Sequence, residues 1–130
     1  MTDEYIKLAK RAVACKHWRW IRGMLRQDEM RYVGSGVWAR WSDTALSSGV
    51  LTALHAPDQW PDLSESATRG CLLALVREAW KDPALCVVFD TSDGRWHVGR
   101  WEDGMALRGR EGDTEAEALV DALEFAPQIP

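Results

Sequence analysis

Paired cysteines, long apolar runs and catalytic spacings are all scarce in this chain of 130 residues. Its three cysteines, Cys15, Cys71 and Cys86, are too few and odd in number for a disulfide framework. Each sits among apolar or helical neighbours, which fits free buried thiols in a reducing cytoplasm. No apolar run reaches the roughly 18 residues that suggest a membrane span. The opening Met1-Thr2-Asp3-Glu4 is acidic, unlike a secretory leader. No Gly-x-Ser-x-Gly elbow occurs, and His17, His55 and His97 have no nucleophile or acid partner by spacing. Gly34-Ser35-Gly36 lacks the Lys-Ser/Thr pair that closes a phosphate cradle, so it reads as a turn. Asp90-Thr91-Ser92-Asp93-Gly94 lacks the middle carboxylate and closing glutamate of a calcium loop, so it reads as a hairpin turn. Among Cys15, His17, His55, Cys71, Cys86 and His97 only Cys15 and His17 are close, which is not a zinc pattern. The expectation is a protein that is not an enzyme, with no cofactor, no metal and no membrane partner.

What the chain has is tryptophan. Eight occur, at positions 18, 20, 38, 41, 60, 80, 96 and 101, in a composition otherwise ordinary for one globular domain. Tryptophan offers a large apolar area with one polar handle, and serves both cores and contact surfaces. Trp80 and Trp96 read as core. Trp38, Trp41, Trp60 and Trp101 are too many large rings for so small an interior, so part of this set is expected at a contact patch. Charge is also uneven. Residues 1–31 hold eight Lys/Arg against four Asp/Glu, a balance of +4, and the remainder carries −8. Acid is densest from Glu111 to Glu124. Such polarity can orient a partner or pair subunits.

Periodicity gives the organisation. Residues 3–16 read as a helix capped by Thr2, with Tyr5, Leu8, Ala9, Ala12 and Val13 on one face. Trp18, Trp20 and Arg22 then alternate with Arg19 and Ile21, the two-residue repeat of a strand. Residues 31–33 and 37–41 form a candidate hairpin, residues 50–54 a further short strand, and 56–61 a proline-bounded loop. Asp62 and Glu65 have the form of a capping box for a helix running to Lys81, expected to be the most buried element. Leu85-Cys86-Val87-Val88-Phe89 reads as a central strand. Asp93-Gly94 and Asp103-Gly104 mark the turns to strands at 95–101 and 105–108. Thr114 and Glu117 cap a last helix that buries Ala116, Leu119, Val120 and Leu123. The fold class is α+β: one domain over 1–130, an antiparallel sheet with helices packed on it. An N-terminal helix with strands spans 3–61, and a helix, a three-stranded meander and a helix span 62–126. Double-stranded-RNA-binding domains share that last order, but here Asp113, Glu115 and Glu117 stand where that family relies on lysines.

The sharpest local feature is Lys16-His17-Trp18-Arg19-Trp20-Ile21-Arg22. Cations interleaved with aromatics suit a single-stranded nucleic acid, since bases stack on rings while Arg and Lys neutralise phosphates. The acidic remainder of the chain opposes that use. The candidate binding residues are therefore Trp18, Arg19, Trp20, Arg22, Trp38, Trp41 and Trp60, with a protein partner or a second copy as the favoured occupant. An accessory nucleic-acid-binding role for residues 16–22 is the alternative. Three stretches also resemble small uncharacterised proteins of tailed phages and proteobacterial prophages: residues 5–13 running into Trp18-Arg19-Trp20, residues 70–80, and residues 114–120. That resemblance brings no activity or catalytic residue. It implies a setting, an accessory protein in the cytoplasm of a bacterial host cell that acts on another protein such as a host factor.

Overall fold

Thr2 opens the first helix, its hydroxyl accepting a hydrogen bond from the Tyr5 amide at 3.5 Å, with Asp3 and Glu4 in the turn where the dipole favours acid. The structure is a computed structural model and describes residues 2–34, 37–39, 60–102 and 105–127. Helix α1 (Asp3–Val13) is followed by the strands β1 (Arg31–Gly34) and β2 (Val37–Ala39) and by helix α2 (Ser66–Trp80). Strands β3 (Cys86–Asp90), β4 (Arg95–Glu102) and β5 (Met105–Gly112) and helix α3 (Glu115–Glu124) complete the order. The class is α+β. Strands β3, β4 and β5 form an antiparallel meander, and β1 and β2 form a separate two-stranded sheet.

Helix α3 is the hub. It packs on α1, on α2 and on all three strands of the meander. Ala116, Ala118, Leu119, Val120, Ala122 and Leu123 are buried, so only a narrow stripe of this helix meets solvent. Thr114 caps it through its hydroxyl, which accepts from the Glu117 amide at 3.1 Å. The Trp80 indole N–H donates to the Ala122 carbonyl at 2.8 Å and ties α2 to it. Arg110 on β5 reaches Asp121 from the sheet side, Nε to Oδ2 at 2.7 Å. In β4, Val98 enters the core and Trp96 packs against it, while His97 points to the opposite face.

Four expectations need correction. Helix α3, rather than α2, is the most buried helix, because α2 leaves Ala74 exposed and Cys71 and Leu73 half-buried. The central strand is β4, and β3 is an edge. Helix α2 starts at Ser66 and not near Asp62, because the Asp62 carboxylate turns to Ser64 and Glu65 turns to Arg31 and Thr68. Residues 18–22 are not a strand, since their backbone bonds serve turns: Trp18 N donates to Cys15 O at 3.1 Å and Ile21 O accepts from Met24 N at 3.0 Å. Gly23 then reverses the chain at a φ of 104°. The expected strand at 50–54, the loop at 56–59 and Trp41 lie outside the described residues.

Candidate functional site

The turn after α1 delivers Trp18 and Trp20 to one side of the molecule, and four rings meet there. Trp18 and Trp20 pack edge to face with centroids 5.4 Å apart, Trp20 meets Trp38 at 4.6 Å, and Trp38 meets Tyr32 at 5.0 Å. Such pairs contribute about 0.5–1.5 kcal/mol each beyond area burial. Trp38, at 1% exposure, lies inside. Trp18, Trp20 and Tyr32 are half-buried, so the seam runs from the interior to the surface. Val33 is 41% exposed beside Tyr32, and Arg19 and Arg22 are exposed along the other end.

Charged side chains buttress the seam from within. The Arg26 guanidinium is buried, lies 4.5 Å from the Trp38 ring centre and pairs with Asp28. That hydrogen-bonded pairing holds the Asp28 carboxyl below its usual range. Arg31 forms a two-pronged bond to Glu65 at 2.9 and 2.6 Å and also donates to the Gly23 carbonyl at 2.6 Å. The Arg31 contact likewise depresses the Glu65 carboxyl. Thr68 completes the connection. Fully buried, it accepts from the Leu25 amide at 3.0 Å and donates to Glu65 at 2.7 Å. The seam is thus pinned to α2 by side chains rather than by a sheet ladder.

Of the seven candidate residues, Trp18, Trp20 and Trp38 come together. Trp38 is a buried anchor, which corrects its expected place at the surface: Arg26 and the rings of Trp20 and Tyr32 pack around it. Arg19 is exposed but paired with Glu78 at 2.5 Å, and Arg22 is exposed. Trp60 sits apart, half-buried with the Lys10 ammonium 5.6 Å from its ring centre. Trp41 lies outside the described residues. Cys15, Cys71 and Cys86 are free thiols, and burial pushes the Cys15 thiol up to about 11, which keeps it protonated and unreactive at neutral pH.

A second cluster escaped the sequence reading. Asp90, Asp93 and His97 converge at the β3–β4 turn, with one potential ligand atom from each lying within 4.8 Å of the others. The spacing Asp-x-x-Asp-x-x-x-His across a tight hairpin is the signal that joins them, because the turn folds Asp90 back beside His97. Between α1 and the start of α3 lies an open groove of about 390 Å³ lined by Glu4, Lys7, Arg11, Asp113 and Glu117 among others. No helix among the described residues is long and apolar enough to cross a membrane. No protein-family model, curated protein or solved structure matches the chain.

Proposed function

We propose that the chain is a non-catalytic accessory protein that binds another protein through the surface end of the aromatic seam. The supporting observation is the seam itself: half-buried Trp18, Trp20 and Tyr32, backed by buried Trp38 and flanked by exposed Val33. Rigid aromatic area with a preformed backing is what protein contacts concentrate their energy in. The nearby cations favour a protein partner over a phosphate backbone. Arg19, Arg26 and Arg31 are each already paired with a carboxylate, so phosphate contacts would have to break those pairs. Rings locked edge to face also offer poor platforms for stacked bases. A phage- or prophage-type setting in the cytoplasm of a bacterial host belongs to the same proposal, and it rests on the three sequence stretches alone.

A photo-crosslinking amino acid placed at Val33 tests it in living bacteria, with the same group at exposed Glu4 as the comparison. One protein, another copy of the chain included, is expected to be captured from position 33 and not from position 4. Identical capture from both positions overturns the proposal. So does saturable quenching of tryptophan fluorescence by a single-stranded oligonucleotide that weakens as salt rises.

A further inference from the structure

His97 occupies the middle of β4 with its imidazole buried and a carboxylate on each side. Asp93 Oδ2 lies 2.8 Å from Nε2, and Glu111 Oε2 lies 3.8 Å from Nδ1. The side chain is only 4% exposed, and Nδ1 has no hydrogen-bond partner. A neutral imidazole carries a single proton. On Nε2 that proton serves Asp93 and leaves the Nδ1 lone pair facing a carboxylate. On Nδ1 it turns towards Glu111 and leaves the Nε2 lone pair directed at Asp93. Either tautomer sets one lone pair of the buried ring against a carboxylate, an arrangement that costs free energy. A cation between Nε2 and the aspartates removes the conflict. It would use the Nε2 lone pair, fix the proton on Nδ1, and aim it at Glu111, the relay by which outer carboxylates orient metal-binding histidines.

We propose that Asp90, Asp93 and His97 bind one divalent transition-metal ion of the zinc–manganese class. One imidazole and two carboxylates suit such an ion, with water filling the remaining positions. Glu111 is a positioning residue, itself held by Arg95 at 3.3 Å. Asp90 Oδ1 accepts from the Ser92 amide and hydroxyl at 2.8 and 2.6 Å, which holds its carboxylate at the turn beside Asp93 and His97. The ion clips β3 to β4 across their turn. This site is independent of the aromatic seam, so either proposal can fail alone.

The test is titration of the purified full chain with Mn²⁺, followed by the electron paramagnetic resonance of the free ion. Manganese is chosen because thiolates compete poorly for it, which sets Cys15, Cys71 and Cys86 aside. Saturable uptake of one ion per chain is expected, lost in the double variant Asp90→Asn, Asp93→Asn. Glu111→Gln is expected to weaken uptake by roughly 10- to 100-fold, the usual effect of an outer partner. Both variants alter residues at the hairpin turn and the β5 edge, and their circular dichroism checks that they fold. In parallel, Zn²⁺ is expected to shift the His97 ring ¹⁵N resonances and leave the proton on Nδ1. Absence of saturable uptake, undiminished uptake by the double variant, or unmoved His97 resonances would each overturn the proposal.

Discussion

The two halves of the molecule are held by different means. Around α3, regularity does the work: a capped helix lies on a three-stranded ladder, and its small and branched side chains fill one continuous core. Around the aromatic seam, regular backbone pairing is sparse. Residues 14–30 follow turns, with isolated bridges from Leu25 to Arg31 and from Arg26 to Pro61. Rings, the buried Arg26 guanidinium, the Arg31–Glu65 pair, the hydroxyl of Thr68 and the short β1–β2 ladder hold that half in place. The regular half exposes Phe89 beside Trp96 and Phe125 under Arg110, whereas the seam gathers four rings in contact with one another. That gathering of rings is why the proposed contact surface lies on the seam and not on the meander.

The largest expected effect lies in the regular half. Leu119→Ala removes a fully buried side chain at the centre of the hub and is expected to cost about 2–5 kcal/mol in a denaturant melt. The tryptophan emission should shift together with the helical signal, because the whole core loosens. A smaller and more local loss is expected of Thr68→Val. Nearly isosteric, it leaves the Leu25 amide and Glu65 without their hydroxyl partner, at about 1–3 kcal/mol. Near-ultraviolet dichroism from the seam should fall more than far-ultraviolet dichroism. An equal fall in both would erase the proposed difference between the halves.

Acid sharpens the same comparison. Asp28 and Glu65 have carboxyl values held below their ordinary 3.8 and 4.5 by Arg26 and Arg31. A depressed carboxyl contributes stability that is fully present above its unfolded value and is lost as pH falls through its folded value. As pH falls below about 4.5, the seam is therefore expected to lose its fixed ring packing first. Tryptophan dichroism followed against pH, beside helical dichroism, checks the order of events.

How much of this was legible in the sequence follows the same division. The cap at Thr114, the buried stripe of α3 and the turn between β3 and β4 are local patterns, and each is read from residues a few positions apart. The pairing of Trp96 with Val98 on one face and His97 on the other follows from strand alternation. The seam was not legible in that way. Trp18-Arg19-Trp20-Ile21-Arg22 alternates as a strand does, but only five residues long, and the distant contacts along its path come from Trp38, Cys71 and Glu78. The helix start at Ser66 was misplaced for a related reason: Glu65 is drawn off by Arg31, 34 positions away. Asp90 and His97 are brought together by the hairpin register, which a motif scan of contiguous residues does not see.

The central claim is that the aromatic seam is where this chain meets a protein partner. Hydrogen–deuterium exchange on the chain, alone and in complex with the protein captured at position 33, tests it most directly. Protection confined to residues 18–24 and 31–34, with the amides of 86–90 and 95–102 unchanged, is the expected result. Protection on the meander with none at the seam would contradict it.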